Sequence, residues 1–243
     1  MYKNVFDFYE KYDENGRLFR DNIHMVEFLT IVTYFDKLFK PKSKILDACA
    51  GTGVYSFYLA DKGHFVTACD LVEHNINIIQ SNSNFKKLVD ATVCNSINLS
   101  QYNQNYFDVV LSMGALYHLD TIDSKERVIS ESIKVCKQNG LVVLAYIPYN
   151  LNNPNSIPFP YNNVFFQTKS SEIELIALKY GLKKIHHVGT DGIIKSHGNK
   201  LNSVNNNDFK IIMDDFYKIC ENEDIIENSG HVLWIGIKRK TST

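Results

Sequence analysis

Between Lys44 and Asp70 the chain reads KILDACAGTGVYSFYLADKGHFVTACD: a short apolar strand, a glycine turn, a helix and a second apolar strand that closes on a carboxylate. Few architectures accept that order. Two glycines in three residues, Gly51 and Gly53, supply a turn where the backbone must take positive φ or come close to a ligand. The helix that follows, to about Lys62, points its unpaired N–H groups back at the turn. Asp70 stands 19 residues beyond Gly51, near the spacing at which an acid reaches ribose hydroxyls. The segment is a nucleotide cradle, and the question is which nucleotide-like ligand it holds.

Composition narrows the setting. The 243 residues carry 26 Lys plus Arg against 27 Asp plus Glu, so no net field favours nucleic acid or an anionic membrane. The one short basic run, Lys238-Arg239-Lys240, reads as a solvated tail. No apolar stretch approaches a membrane span, and the N-terminus MYKNVFDFYEKYDE is too acidic and aromatic for a signal peptide. The expected location is the cytoplasm. Five cysteines, scattered without CxxC spacing, point to reduced thiols. Cys49, Cys69 and Cys94 near three strand ends lack a histidine to complete a metal set, so no metal is expected.

The expected fold is an α/β, doubly wound Rossmann-like single domain over residues 1–243. Residues 1–43 form a helical cap, with apolar positions from Ile23 to Phe39 at helical spacing and Pro41 ending the run. Residues 44–146 alternate strands and helices: strands 44–47, 65–70, 90–94, 107–112 and 141–147, with helices 54–62, 72–81 and 124–137 between them, implying a parallel sheet. Pro148, Pro154, Pro158 and Pro160 make an irregular insert. Inserts 147–168 and 189–230 are expected on the substrate side, with Tyr149, Phe159, Tyr161, Phe165, Phe166 and Phe216 as chamber aromatics. A helix 170–180, a strand 182–188 and a helix 207–220 follow. The last strand, within 231–243, has no helix after it and is expected to enter antiparallel beside its predecessor. His186-His187 and Asp191-Gly192 read as a surface turn, with a place for His187 at the mouth of the pocket as the alternative.

A dinucleotide turn wants a third small residue at the position of Ser56, and serine does not exclude one. Asp47 discriminates better. A carboxylate at the mouth of the turn suits a cationic amino group rather than a pyrophosphate, which favours a zwitterionic adenosyl ligand. Here the sequence resembles the class I S-adenosylmethionine-dependent methyltransferases, whose first motif is an apolar strand followed by D/E-x-G-x-G-x-G. It stands as ILDACAGTG, with Cys49 in place of the first glycine. Further matches follow in order: Asp70 in CDLVEHN, Asn95 in TVCNSINL, FDVVLSMGALYHL from Phe107 to Leu119, and the Asn139-Gly140 turn before Leu141–Ala145. Within the family, the Leu116-Tyr117-His118-Leu119 stretch looks most like small-molecule methyltransferases related to the quinone-biosynthesis type.

The resemblance implies a seven-stranded sheet and transfer of a methyl group from S-adenosyl-L-methionine to a small acceptor, releasing S-adenosyl-L-homocysteine. Asp47, Ala50, Gly51, Thr52, Gly53, Asp70, Leu71, Asn95, Ser96, Met113 and Gly114 then line the cofactor, with Asp70 on the ribose and Asn95 at the adenine. Tyr12 would reach the cofactor from the N-terminal segment. Tyr117, His118, Tyr146 and Tyr149 are the acceptor-side candidates. His118 is either a general base or part of the pocket wall. A nicotinamide-dependent oxidoreductase and a non-catalytic adenosyl-ligand binder remain as alternatives, and neither acceptor nor oligomeric state is specified.

Overall fold

The computed structural model describes residues 3–9, 16–149, 163–192 and 200–239. Eight strands form its centre: β1 (Lys44–Asp47), β2 (Phe65–Asp70), β3 (Asp90–Val93), β4 (Phe107–Ser112), β5 (Cys136–Pro148), β6 (Gln167–Thr168), β7 (Leu182–Gly189) and β8 (Val232–Lys238). Their order is β3-β2-β1-β4-β5-β8-β7, with the two-residue β6 attached to the end of β5. The expected seven strands are therefore present, plus one short addition. From β3 through β5 every pairing is parallel. β8 runs antiparallel to both neighbours, wedged between β5 and β7.

Strands of this kind are apolar on both faces because helices cover both. Ile45, Leu46, Val109, Val110, Val142 and Val143 are almost completely buried. One core packs this sheet against α2 (Asn22–Leu38), α3 (Val54–Asp61), α4 (Glu73–Ser81) and α8 (Asn206–Ile219). The opposite core packs it against α5 (Ile122–Val135) and α6 (Ser170–Lys179). Three short helices, α1 (Lys3–Tyr9), α7 (Lys200–Ser203) and α9 (Glu223–Glu227), complete the α-helices of the described residues. Phe216 is buried in the first core, so it stabilises α8 and does not line a chamber.

Local chemistry sets the boundaries. Asp21 caps α2 by accepting from the His24 N–H at 3.0 Å, and Thr121 caps α5 by accepting from the Ser124 N–H at 3.3 Å. Helix α5 ends at Val135, two residues before the expected Lys137, because Cys136 already pairs with Phe107 of β4. Asn139 takes φ 62°, and a Cβ on Gly140 would lie 2.8 Å from the Asp108 carbonyl oxygen. The turn is therefore a kink inside β5. No helix among the described residues is long and apolar enough to cross a membrane.

Strand order reverses beside β1: β2 and β3 lie to one side, β4 and β5 to the other. Connections leaving the carboxyl ends of β1 and β4 diverge there and open a crevice.

Candidate functional site

A cleft of about 1150 Å³, open solvent at its mouth included, occupies that crevice. Its floor is the turn after β1, where Gly51 and Gly53 take φ of 53° and 88°. The turn is pinned to both neighbouring strands: the Ala48 N–H donates to the Leu111 carbonyl at 2.8 Å and the Ala50 N–H to the Cys69 carbonyl at 3.0 Å. Helix α3 starts at the turn with no side-chain cap on its first N–H groups. The Thr52 hydroxyl is buried and has no hydrogen-bond partner among the described residues, yet Thr52 lines the cleft.

Asp70 ends β2 at the cleft wall. Its Oδ2 accepts from the Gly51 N–H at 2.8 Å, and its Oδ1 accepts from the Val72 N–H at 2.9 Å and the Asn75 amide at 3.1 Å. Burial pushes the Asp70 carboxyl above its ordinary value, opposed by those three donors. Leu71, Asn95 and Ser96 continue the same wall. Asn95 turns its own chain by accepting from the Ile97 N–H at 3.2 Å. Opposite them stand Met113 and Gly114, after β4.

Cys49, the departure from the glycine pattern, is matched by a glycine across the cleft floor. A Cβ on Gly114 would sit 2.8 Å from the Cys49 Cβ. The side chain added at position 49 thus occupies space that position 114 leaves open. Burial pushes the Cys49 thiol up to about 12, and it is a neutral wall group.

The far end of the cleft is aromatic and polar. His118 Nδ1 lies 2.8 Å from the Val164 carbonyl oxygen, which can only accept, so Nδ1 carries the proton and Nε2 is an acceptor. The Tyr9 hydroxyl of α1 donates to that Nε2 at 3.0 Å. Burial lowers the His118 pKa to about 4, with the Val164 bond opposing. The ring is neutral over the physiological range. Tyr117 packs beside it and donates to the Met113 carbonyl at 3.1 Å. A second polar group borders the cleft where α2 meets the start of β8: Arg17 donates to both oxygens of Glu27 at 2.8 and 3.2 Å, and His231 Nδ1 lies 3.5 Å from Glu27. Asp191, expected in a surface turn, is buried and accepts from the Gly230 and His231 N–H groups at 2.6 and 3.2 Å. Ligating atoms of Glu27, Asp191 and His231 lie within 4.8 Å of one another, but the Arg17 guanidinium already engages both Glu27 oxygens.

Of the sequence-predicted residues, Ala50, Gly51, Thr52, Asp70, Leu71, Asn95, Ser96, Met113, Gly114, Tyr117 and His118 share this cleft. Others do not. Asp47 lies beneath the turn, 1% exposed; its Oδ2 accepts from the Ser56 hydroxyl at 2.7 Å and its Oδ1 has no partner among the described residues. Burial raises its pKa to about 6, against the Ser56 hydrogen bond. Gly53 shapes the turn without lining the cleft. Tyr146 is fully buried in the opposite core, where its hydroxyl meets Ser170 at 2.8 Å and His187 at 2.6 Å. It is a packing residue, and His187 bonds to it instead of facing the cleft mouth. Tyr149 also stands off the cleft, under the Lys169 ammonium, 5.4 Å from its ring centre. Tyr12, Phe159 and Tyr161 lie outside the described residues. Missed in the sequence were Tyr9, Glu27, Asn75 and His231, all lining residues. Asn75 alone carried a signal: five residues after Asp70, in the first turn of a helix, its side chain can fold back onto that acid.

Residues 46–144 match the family described as methyltransferase domain. A SAM-dependent methyltransferase from Archaeoglobus fulgidus is similar in fold, with a TM-score of 0.65 at 16% identity over 92% of this chain and 97% of that one. So is a chain in the complex of the Haloferax volcanii Trm112 methyltransferase activator with a putative methyltransferase, at TM-score 0.64 and 15% identity over 88% of this chain and 90% of that one. Phosphoethanolamine N-methyltransferase 2 from Haemonchus contortus, solved with S-adenosyl-L-methionine, gives TM-score 0.58 and 16% identity over 87% of this chain and 52% of that one. No curated protein sequence matches the chain.

Proposed function

We propose that this enzyme, an S-adenosylmethionine-dependent methyltransferase of class I fold, methylates a small-molecule acceptor held between Met113 and the Tyr9–His118 pair. The observation that carries the reading is the division of one cleft into two chemically distinct ends. At one end the residues fit an adenosyl group: a turn of positive-φ glycines, an orphaned buried Thr52 hydroxyl and an acid with three donors already in place. At the other are Tyr9, Tyr117 and His118. Pockets lined by apolar and aromatic groups with a few placed polar atoms are typical of small ligands.

S-Adenosylmethionine supplies a methyl group already activated by a positive sulfur. The protein's task is alignment and exclusion of water, worth up to about 7–11 kcal/mol in favourable intramolecular cases. Asp70 would hold the ribose, Asn95 and Ser96 the adenine edge, and the turn N–H groups the amino-acid end. Asp47 supports that turn from below and contributes negative charge through it. Met113 and Gly114 would border the methyl group. Tyr9 and His118 would orient the acceptor: neutral Nε2 holds the Tyr9 O–H, and the Tyr9 oxygen would accept a hydrogen bond from an acceptor O–H or N–H. A link to the quinone-biosynthesis type rests on the Leu116–Leu119 motif, and a cytoplasmic location on composition.

The test is release of S-adenosylhomocysteine by purified enzyme offered small phenolic, hydroxylated and amine acceptors, compared with tRNA and protein preparations. Turnover with a small acceptor, slowed at least tenfold in His118→Ala and Tyr9→Phe, supports the reading. Turnover only on the macromolecular preparations overturns it.

A further inference from the structure

A ribose presents two adjacent hydroxyl donors, and the acid expected to take both has too little capacity left. A carboxylate offers about four lone-pair sites. Three on Asp70 are used: the Val72 N–H and the Asn75 amide fill Oδ1, and the Gly51 N–H takes one site on Oδ2. One remains.

Asn75 stands beside it with the complementary vacancy. It is 3% exposed and lines the cleft. Its backbone N–H donates to the Val72 carbonyl at 3.0 Å, which fixes the residue in the first turn of α4. Because its Nδ2 faces the Asp70 oxygen at 3.1 Å, the amide orientation is set, and its own Oδ1 is turned from the acid. That Oδ1 accepts no hydrogen bond among the described residues. On a residue that lines the cleft, that open oxygen can accept from a ligand hydroxyl.

We propose that the ribose diol is shared, with one hydroxyl donating to Asp70 Oδ2 and the other to Asn75 Oδ1. Asn75 then both positions the acid and contacts the ligand directly, and it makes the site selective for an intact diol. The inference rests on the S-adenosylmethionine reading of the cleft and deepens its ribose end. A site built to hydrogen-bond a hydroxyl rejects an analogue that lacks it, because the buried partner is left unpaired.

The experiment is calorimetric titration of the full-length protein with S-adenosylhomocysteine and with its 2′-deoxy and 3′-deoxy counterparts. In the wild type each missing hydroxyl should weaken binding about tenfold, the effect of one lost hydrogen bond. In Asn75→Leu, which keeps volume and removes the acceptor, S-adenosylhomocysteine should weaken about tenfold, and the penalty for one of the two deoxy ligands should vanish while the other persists. Asn75→Asp, nearly isosteric, places a second carboxylate against Asp70; two such acids cannot both ionise easily. Its affinity should rise as pH falls from 8 to 5, relative to the wild type. The proposal is overturned if Asn75→Leu keeps both penalties, or loses both together as a displaced Asp70 would require. It is equally overturned if Asn75→Asp follows the wild-type pH profile, a readout that stands should the leucine variant not fold. A wild type that binds no S-adenosylhomocysteine overturns instead the reading beneath it.

Discussion

Gly114→Ala should damage the cleft floor, and Cys49→Gly should repair it. The added methyl would lie 2.8 Å from the Cys49 Cβ, 3.6 Å from its carbonyl oxygen and 3.7 Å from its sulfur. Carbon pairs rest at about 3.5–4.0 Å, so only the Cβ contact is severe, and it must open by about 0.7 Å or more. Both atoms are on backbone-anchored carbons, and no side-chain rotation relieves them. Gly114 is not among the positive-φ residues, so alanine meets no backbone penalty and the effect isolates the clash. Overpacking of this kind costs about 1–3 kcal/mol, which lowers Tm by roughly 2–12 °C in a chain of this size. Because the two residues line the cleft, at the end proposed for the cofactor, binding of S-adenosylhomocysteine should weaken with it. Removing the opposing Cβ in Cys49→Gly/Gly114→Ala should recover most of the loss, giving a coupling of about 1 kcal/mol or more. Cys49→Ser keeps its Cβ and should rescue nothing. Thermal unfolding with and without ligand measures all four variants. Additive effects of the two substitutions, or rescue by serine, would refute the steric argument.

Asp47→Asn should stabilise the enzyme at neutral pH. The buried acid titrates near 6 instead of 3.8, so folding is favoured while both states hold the proton and loses ground as pH rises from about 4 to 6. That shift corresponds to about 3 kcal/mol. The Tm advantage of the variant should grow across this window and then level off; parallel Tm curves would count against it. His118 titrates in the opposite sense: its pKa is depressed to about 4, so its contribution is intact above 6.5 and lost as pH falls toward 4. Turnover between pH 5.5 and 8 should show no inflection that His118→Gln abolishes, and one near 6.5 would contradict the buried neutral ring. Tyr146→Phe should cost about 1–2 kcal/mol through the orphaned His187 and Ser170 while leaving S-adenosylhomocysteine affinity unchanged. Weakened binding would return Tyr146 to the acceptor site.

The cradle was legible because its constraints are local. Two glycines within three residues, a strand before and an acid after can satisfy their backbone geometry in few ways. Residues at the ends of parallel strands converge on the crevice for the same reason, which is why Asp70, Asn95 and Met113 meet. What failed was the choice of face. Ala145 and Tyr146 are adjacent in β5 and so point to opposite sides of the sheet; Ala145 lines the cleft and Tyr146 enters the other core. Nothing in the local pattern of a strand buried on both faces says which residue looks toward the ligand. Asp47 erred differently. The strand carries it below the turn, where it meets Ser56 one turn into α3. Glu27 and His231 were invisible because α2 and the start of β8 meet only after the last strand has inserted between β5 and β7. Tyr9 reaches His118 across 109 positions of sequence, a contact no spacing rule encodes.

Titration of the wild type and Asp70→Ala with S-adenosylhomocysteine, beside NADH under the same conditions, most directly tests the central claim. The expected result is saturable binding to the wild type, at least about tenfold weaker binding to Asp70→Ala, where a charged acceptor is lost from a buried site, and no heat from NADH. Equal affinity for the two proteins, or binding of NADH with none of S-adenosylhomocysteine at millimolar ligand, would contradict it.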